Sequence, residues 1–215
     1  MALIAFEGID GAGKSTQAKR LSDWLEARGF RTLVTFEPTH GEHGKRIRNA
    51  DPRLEPEEER AEFVLDRKEH VETCITPALA RDEIVICDRY YYSSMAYQGA
   101  RIAKERGDES GEALDRIINE LRMENELFAP QADILVIFEL SVDASLARIA
   151  CGRASADAFE NRDNLARVAR AMDRLKLIVK ATSRTRLILI DAEASVDDVT
   201  KQLLSEIAAS FNLEF

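Results

Sequence analysis

The chain has 215 residues, of which 45% are hydrophobic, enough for a single domain with a substantial core. Its formal net charge of -9 argues against duplex nucleic acid as the main partner, because binding DNA phosphates requires concentrated Lys and Arg. No apolar stretch approaches the roughly 20 residues that span a bilayer, and no signal peptide is recognisable. Cys74, Cys87 and Cys151 are far apart, which indicates neither a disulfide framework nor a zinc site, so we expect a cytoplasmic protein.

The first predicted elements are a strand, a glycine-rich loop and a helix. Residues 2–6 are an apolar run typical of a buried parallel strand, and residues 15–28 have a helical pattern. Between them, Gly8 to Ser15 match the phosphate-binding pattern G-x-x-x-x-G-K-[ST]. In such a loop, backbone N–H groups surround a phosphate, Lys14 adds a positive charge and the serine hydroxyl binds Mg²⁺. The segment therefore predicts a nucleotide site at the N-terminal end of the helix.

Strands and helices alternate along the rest of the chain. Four further apolar runs have the length of short buried strands: 32–36, 84–87, 134–138 and 187–190. Apolar residues recur at helical spacing in four segments: 56–80, 114–121, 168–179 and 196–207. This alternation predicts one α/β domain over residues 1–215, with a parallel sheet covered on both faces. We interpret the acidic stretch 51–62 as the solvated start of a helix.

A second group of polar residues follows the third predicted strand. Asp88 and Arg89 would lie at the carboxyl end of the sheet, where open α/β folds bind ligands. A carboxylate there can hold Mg²⁺, and a guanidinium can bind a phosphate, although an exposed surface ion pair is an alternative. All four tyrosines of the chain follow within eight positions: Tyr90, Tyr91, Tyr92 and Tyr97. Their clustering suggests the wall of a pocket, although core packing alone would explain two of them.

Several segments together resemble the motifs of thymidylate kinases in order and spacing. They are Phe6 to Gln17, Glu37-Pro38, Phe63 with Asp66-Arg67, Asp88-Arg89-Tyr90, Ser93 to Gly99, Pro130 to Asp133, Leu146 to Ile149, Phe159-Glu160 and Ile190 to Ala192. The resemblance covers nearly the whole chain. It implies a three-layer P-loop NTPase fold, with a five-stranded parallel sheet, helices on both faces and a short lid. It also implies transfer of a phosphoryl group from ATP to dTMP with Mg²⁺, a step of deoxynucleotide synthesis, by a homodimer.

The resemblance assigns roles to the residues around the transferred phosphoryl group. The residues that would hold the ATP phosphates are Gly8, Asp10, Gly11, Ala12, Gly13, Lys14, Ser15 and Thr16. Asp10 would lie near the acceptor phosphate and Arg89 would bind that phosphate. Ser15 and Asp88 would hold Mg²⁺. Lys14, Asp10 and Arg89 would form the catalytic set together with an arginine of the lid, because phosphoryl transfer depends mainly on positioning and charge neutralisation.

The resemblance also predicts how the acceptor nucleotide is bound. The residues that would surround dTMP are Glu37, Phe63, Arg67, Arg89, Ser94, Tyr97 and Gln98. Phe63 would stack on the pyrimidine, with plain helix packing as the alternative, and Arg67 would donate to a base carbonyl. Ser94 and Gln98 would face the base or the sugar. Tyr97 would pack under the deoxyribose, where a 2′-hydroxyl would crowd it.

Two departures from the family pattern concern catalysis and specificity. The phosphate loop has Gly11 where one branch of the family has its catalytic arginine, which implies that the lid, residues 150–164, supplies it. Many relatives carry Asp-Arg-Phe-Glu there, but this chain has Ala158 in place of the arginine. Arg153 is the first candidate to replace it and Arg162 the second, with a solvated surface charge as the alternative for either.

The second departure is Phe36, which occupies the arginine position of an Arg-Glu-Pro-Gly-Gly segment common in the family. That loop normally approaches the acceptor, so the choice of base and sugar is open. A kinase for another nucleoside monophosphate or a deoxynucleoside is therefore an alternative, as is a nucleotide-binding relative without catalysis. A GTP-binding switch is disfavoured because the chain lacks the Asn-Lys-x-Asp motif that reads guanine.

Overall fold

A parallel sheet forms the centre of the computed structural model, which describes residues 1–152 and 161–213. Within these residues the strands are β1 (Ala2–Glu7), β2 (Thr32–Phe36), β3 (Ile84–Asp88), β4 (Ile134–Glu139) and β5 (Arg186–Asp191). They are ordered β2-β3-β1-β4-β5, and every pair is parallel. The five predicted strands are thus confirmed, and four of them are one or two residues longer than the apolar runs indicated.

Helices connect the strands. They are α1 (Lys14–Glu26), α2 (Glu42–Asn49), α3 (Pro56–His70), α4 (Thr76–Ala80), α5 (Tyr91–Glu105), α6 (Gly111–Glu126), α7 (Val142–Gly152), α8 (Arg162–Thr182) and α9 (Val196–Phe211). A π-helical turn, Val71–Ile75, joins α3 to α4, so the segment predicted as helical over 56–80 is helical throughout. No helix within the described residues has the length and apolar character needed to cross a membrane.

The three-layer arrangement follows from the alternation of side chains along the strands. On β1, Leu3 and Ala5 belong to one hydrophobic cluster, which α5, α6 and α8 complete. Ile4 and Phe6 belong to a second cluster on the opposite face, which α1 and α9 complete. The predicted α/β fold with helices on both faces is therefore confirmed. Because β1 and β3 are neighbours in register, their carboxyl ends bring the phosphate loop beside Asp88.

The acidic stretch at the start of α3 is only partly solvated. Glu59 and Glu62 are buried, contrary to the expectation of a solvated helix start. Glu59 accepts hydrogen bonds from Arg53 and Arg101, and Glu62 accepts one from Arg46. The expectation was wrong for these two residues because charge patterning cannot reveal arginines that approach from elsewhere in the chain. Their ion pairs join α3 to α2 and α5.

The tyrosine cluster contributes more to the core than expected. Tyr90, Tyr91 and Tyr92 are all buried, so core packing accounts for three of the four tyrosines rather than two. Their hydroxyl groups remain hydrogen-bonded: Tyr91 donates to Tyr92 at 3.0 Å, and Tyr90 donates to the carbonyl of Pro130 at 3.1 Å. Tyr97 alone among the four places its hydroxyl beside Asp10. The cluster therefore supports the sheet, while Tyr90 and Tyr97 also line the cavity described below.

Candidate active site

The loop between β1 and α1 has the backbone geometry of an anion-binding turn. Gly8, Gly11 and Gly13 have φ angles of 143°, 79° and 84°, which are accessible to glycine at little cost. A Cβ atom on Gly8 would lie 2.6 Å from the carbonyl oxygen of Phe138, so this position also lacks room for a side chain. Gly13 precedes the first turn of α1, and no side chain of the described residues caps it. An uncapped helix start of this kind favours a bound anion.

Lys14 lies within this loop and is nearly enclosed by it. Its Nζ atom donates to the carbonyl oxygens of Gly8 at 3.1 Å and Ile9 at 3.2 Å. Burial lowers the pKa of the Lys14 ammonium to about 8, and the positive charge of Arg89 adds to this effect. A phosphate bound in the loop would favour the charged ammonium, so the site is built for an anion that compensates for burial.

Ser15 and Asp88 lie together at the edge of the loop. The Ser15 hydroxyl donates to Oδ2 of Asp88 in a very close contact, although the residues are 73 positions apart. Ser15 is exposed and Asp88 is half-buried, so both oxygens can reach a ligand from solvent. A hydroxyl and a carboxylate are hard oxygen ligands, the type that Mg²⁺ prefers. The chemistry of this pair therefore fits the predicted magnesium site.

Arg89 turns toward the phosphate loop from the end of β3. Its φ angle is 69°, an unusual conformation for a residue with a long side chain. Its Nη2 atom donates to Oδ1 of Asp10 at 2.6 Å, its Nη1 atom donates to Oγ of Ser93 at 3.2 Å, and its guanidinium lies 4.9 Å from the Tyr97 ring centroid. Burial would raise the pKa of Asp10, but the charges of Arg89 and Lys14 outweigh it and lower the pKa below its ordinary value. The structure thus brings the predicted residues Lys14, Asp10 and Arg89 into one charged cluster.

A cavity of about 420 Å³ opens beside this cluster. Every acceptor-side residue expected from the sequence lines it: Glu37, Phe63, Arg67, Arg89, Ser94, Tyr97 and Gln98. Phe63 is only half-buried, with its ring on the cavity wall rather than deep in the helix packing. The volume suits a small organic ligand with a few polar groups. Asp10 and Arg89 also line the cavity, so a ligand within it would reach the phosphate loop.

Arg67 is held on three sides at the inner end of the cavity. Its side chain is 1% exposed, and its nitrogens lie close to Glu37 Oε2, with Nε at 2.8 Å and Nη2 at 2.6 Å. Nη1 donates to Oδ1 of Asn125 at 2.6 Å and Nη2 donates to Oγ of Ser94 at 3.0 Å. Glu37 pairs in turn with His70 at 3.1 Å. These contacts fix the guanidinium before any ligand binds.

Three potential metal ligands also meet behind Arg67. Ligand atoms of Glu37, His70 and Cys87 lie within 4.8 Å of one another. However, the Glu37 oxygens already accept hydrogen bonds from Arg67 and His70. Burial raises the pKa of the Cys87 thiol well above its ordinary value, whereas metal binding requires the thiolate. Glu37 and His70 therefore support Arg67, and the three side chains do not suit a metal ion.

Gln98 has a polar atom that the protein leaves unmatched. Its Oε1 atom is buried and has no hydrogen-bond partner within the part of the chain that the structure describes. The residue lines the cavity, so this acceptor is available to a ligand there. Buried polar atoms without partners are rare in folded proteins. The orphaned oxygen therefore points to a ligand that donates a hydrogen bond.

Several residues of the site were not anticipated from the sequence. Arg48 and Arg53 line the cavity from α2 and the segment after it. Ser145 donates from α7 to the carbonyl oxygen of Asp10 at 2.6 Å, and Arg148 donates to that of Gly11 at 3.2 Å. Arg48 was missed because α2 has too few apolar residues to show a helical period. The α7 contacts have no local sequence signal, since they bridge more than 130 positions.

The two departures from the family pattern are the missing lid arginine and Phe36, and the structure describes the surroundings of Phe36 but not those of Ala158. Arg153 and Ala158 lie outside the described residues. Arg162 is exposed at the start of α8 and pairs with Asp143. Phe36 packs edge-on against His40, with ring centroids 4.9 Å apart, and neither residue belongs to the cavity lining in the described part of the chain. The end of β2 and the loop after it thus adopt this arrangement with Phe36 in the position where the family commonly has an arginine.

Comparison with known proteins identifies one matching family and several relatives that carry the same name. The family model described as thymidylate kinase matches residues 6–203. A thymidylate kinase of Xanthomonas euvesicatoria is 40% identical over 210 residues, 97% of this chain and 84% of that protein. One from Xanthomonas oryzae is 41% identical over 97% of this chain and 83% of its own length. One from Akkermansia muciniphila is 37% identical over 97% of this chain and 92% of its own length.

The buried pair of Arg67 and Glu37 allows a test of the cavity structure. Arg67→Met should lower the free energy of unfolding by about 3 to 5 kcal/mol, because it leaves the Glu37 carboxylate buried without its main partner. Adding Glu37→Gln should recover about 1 kcal/mol or more of that loss, since no unpaired charge then remains. Urea unfolding monitored by circular dichroism measures both changes.

The matched control is Arg60→Met, on the same helix. Arg60 is half-buried and pairs with Glu57 and Glu124, so its loss should cost less than about 1 kcal/mol. A loss of under about 1 kcal/mol for Arg67→Met would contradict the view that the Arg67 network holds the inner end of the cavity.

Proposed function

This chain belongs to the thymidylate kinase family, and we propose that its phosphate loop and cavity together transfer the γ-phosphoryl group of ATP to dTMP, giving dTDP. The observation that carries this proposal is the position of the cavity. It is lined by the expected acceptor residues and ends at Asp10 and Arg89, directly beside the phosphate loop. Donor and acceptor phosphates bound at these places would face each other, which is the main requirement of phosphoryl transfer.

We assign the donor to the phosphate loop. The loop backbone and Lys14 would bind the ATP phosphates, since the glycine geometry and the uncapped start of α1 favour an anion. Ser15 and Asp88 would hold Mg²⁺, whose charge neutralises the phosphate oxygens. The contact between their side chains supports this role because both oxygens already converge on one point.

We assign the acceptor phosphate to Arg89. Its guanidinium is paired with Asp10 and stacked on Tyr97, and it faces the cavity next to the loop. A dianionic phosphate would compete with Asp10 for the guanidinium and bind it through two parallel hydrogen bonds. Asp10 would then limit how far the acceptor moves toward Lys14. Preorganised charges of this kind stabilise the transition state because they need no rearrangement during transfer.

We assign the pyrimidine to the inner cavity. Phe63 offers a ring face for stacking, and Arg67 is fixed where it can donate to a base carbonyl. The unmatched Oε1 of Gln98 requires a donor, and thymine has an N3–H group between two carbonyls. Cytosine presents an unprotonated N3 instead, so it offers Oε1 of Gln98 no donor at this ring position. Tyr97 would pack against the deoxyribose.

The proposed substrate can be tested with a panel of monophosphates. In a coupled assay with ATP and Mg²⁺, dTMP should exceed dCMP and dGMP in kcat/KM by about tenfold or more, equivalent to about 1.4 kcal/mol. Gln98→Leu should narrow the ratio of dTMP to dCMP, because it removes the acceptor that distinguishes the two bases. The matched control Gln202→Leu, on the exposed face of α9, should leave the ratio unchanged. A tenfold preference for another monophosphate would make the base assignment wrong.

The proposed donor and acceptor roles can be separated by kinetics. Lys14→Ala should strongly lower kcat even at saturating ATP, because it removes the positive charge that would contact the donor phosphates. Arg89→Ala should chiefly raise KM for dTMP, although both variants lower kcat through the shared transition state. Steady-state kinetics with ATP and dTMP varied in turn gives kcat and the KM for each substrate in each variant. Full activity of either variant would contradict its assigned role.

The pH dependence provides an independent readout of Lys14. Its pKa is lowered to about 8, so the ligand-free enzyme loses the ammonium charge as pH rises through that value. We therefore expect kcat/KM for ATP to fall above about pH 8, because this constant reports ionisations of the free enzyme. Lys14→Arg keeps its charge and should lack this decline. If kcat/KM for ATP declines equally in Lys14→Arg, the titrating group is not Lys14.

We further propose that a lid arginine completes the catalytic charge. Arg153→Ala should lower kcat by about 10³-fold or more while changing nucleotide affinity little, because an arginine in this role acts on the transition state. Ala158→Arg should restore part of the loss. Arg162, which pairs with Asp143, is the second candidate. The kcat of Arg162→Ala is therefore compared with that of Arg153→Ala. If kcat changes by less than about threefold in both single variants, neither lid arginine supplies the catalytic charge.

We also propose a homodimer, as in the family. Large apolar side chains are exposed on neighbouring surfaces of α3 and the end of α6, including Leu65, Met123 and the 87% exposed Leu127. The ion pair of Arg60 with Glu124 holds these helices together. Sedimentation velocity should give twice the chain mass, and Leu127→Glu combined with Met123→Glu should shift it to the monomer. A monomeric wild-type protein would refute this proposal.

A further inference from the structure

Glu7 is a buried carboxylate for which the proposed reaction has no direct use. It is the last residue of β1 and precedes the first glycine of the phosphate loop. It is 0% exposed. Its Oε1 atom accepts from the backbone N–H groups of Tyr90 at 2.8 Å and Ser93 at 3.1 Å, and its Oε2 atom accepts from the Ser93 hydroxyl in a close contact. All its hydrogen bonds given by the structure thus go to the segment that follows Arg89.

These bonds make Glu7 the cap of a helix in another part of the chain. Tyr90 occupies the N-cap position of α5, and its own side chain makes no capping hydrogen bond. The carboxylate of Glu7 takes over this function across 83 positions of sequence. A negative group at this end of a helix is favoured by both the free N–H groups and the helix dipole. The start of α5 is therefore fixed to the end of β1.

The same bonds extend to the guanidinium of Arg89. Ser93 Oγ donates to Glu7 and accepts from Nη1 of Arg89 at 3.2 Å, so one hydroxyl links the two charged groups. The backbone N–H of Arg89 also donates to the carbonyl oxygen of Phe6 at 2.9 Å. Arg89 has a left-handed φ angle, which persists only where surrounding contacts determine it. The end of β1 thus fixes both the backbone and the side chain of this arginine.

A charged group at this position is costly, which argues for a role beyond filling space. Burial raises the pKa of Glu7 to about 7, although the hydrogen bonds and the charges of Arg89 and Lys14 counteract it. The other titratable groups around it are the Tyr97 hydroxyl from α5 and the Cys87 thiol from β3. Asp10 and Glu7 are both anions near the two cations; Asp10 contacts Arg89 directly, whereas Glu7 is the fully buried carboxylate behind it.

We propose that Glu7 is a positioning residue that fixes the guanidinium of Arg89, through Ser93 and the first turn of α5, at the place where the acceptor phosphate meets the phosphate loop. This inference rests on the proposed role of Arg89 in binding the monophosphate. Glu7 contacts neither nucleotide in this arrangement. Its effect is carried by the orientation of Arg89, and so it acts on the acceptor side.

The first experiment compares Glu7→Gln with the wild-type enzyme. Glutamine keeps the shape but loses the charge and one acceptor oxygen. KM for dTMP should rise by about tenfold or more and kcat should fall, whereas KM for ATP should change by less than about twofold. The midpoint of urea unfolding at neutral pH should stay equal or rise, because a neutral amide avoids the cost of a buried carboxylate. A purely structural role of Glu7 predicts the opposite: lower stability with no selective effect on dTMP.

Variants at Ser93 test the link itself. Ser93→Ala should reproduce the selective rise in KM for dTMP, and Ser93→Thr, which retains the hydroxyl, should largely restore it. In an Arg89→Lys background, Glu7→Gln should add less than about threefold, since the guanidinium that it positions is absent. The control Glu62→Gln neutralises another buried carboxylate, outside the cavity lining, and should leave both KM values within about twofold.

The outcomes distinguish this inference from the proposed function. A wild-type enzyme that does not phosphorylate dTMP would refute the function. A wild type active on dTMP, with Glu7→Gln unchanged in KM for dTMP and kcat, would refute the positioning role alone. Equal effects on ATP and dTMP, or full additivity with Arg89→Lys, would also refute it, because they show that Glu7 does not act through Arg89.

Discussion

The parallel pairing of β1 with β3 is the constraint on which the site depends. It places Phe6 opposite Asp88, so the two strands end at the same level. The phosphate loop continues from one strand and Arg89 follows the other, and a hydrogen bond from Arg89 to Phe6 closes the gap. Because each strand is followed by a helix that packs on the sheet, neither segment can shift without disturbing a hydrophobic cluster. The rigid sheet thus sets the distance between the phosphate loop and Arg89.

Around this edge the protein concentrates charge that is costly to bury. Lys14 and Arg89 meet Asp10 and Glu7 beside the phosphate loop, while Arg67 meets Glu37 at the inner end of the cavity. Lys14 is held by two backbone carbonyl oxygens of the loop. The two arginines are held by a carboxylate and by neutral side-chain oxygens. Such pairs add little net stability, but removing one partner is expensive. The arrangement therefore favours fixed orientation over stability, which suits electrostatic catalysis.

The sequence predicted the strands well because buried parallel strands are nearly continuous apolar runs. Helix α5 was missed because its buried positions include the polar or small residues Ser93, Ser94, Gln98 and Gly99, which obscure the apolar period. The phosphate loop and its neighbours were predicted because their motifs carry chemistry in consecutive residues. Partners distant in sequence gave no such signal: the contacts of Glu7 with Ser93 and of Glu59 with Arg101 emerge only from the folded chain. The same holds for the unmatched oxygen of Gln98.

The contacts of α7 with the phosphate loop limit how this enzyme could evolve. A Cβ atom on Gly11 would lie 3.3 Å from both the Cβ of Arg148 and the carbonyl oxygen of Ser145, and its φ angle of 79° already favours glycine. Introducing an arginine at this position therefore strains the backbone and requires α7 to give way by a few tenths of an ångström. A side chain at position 11 and the close contact of α7 with the loop thus compete for the same space. A lineage that gains an arginine in the loop must adjust the packing of α7 at the same time.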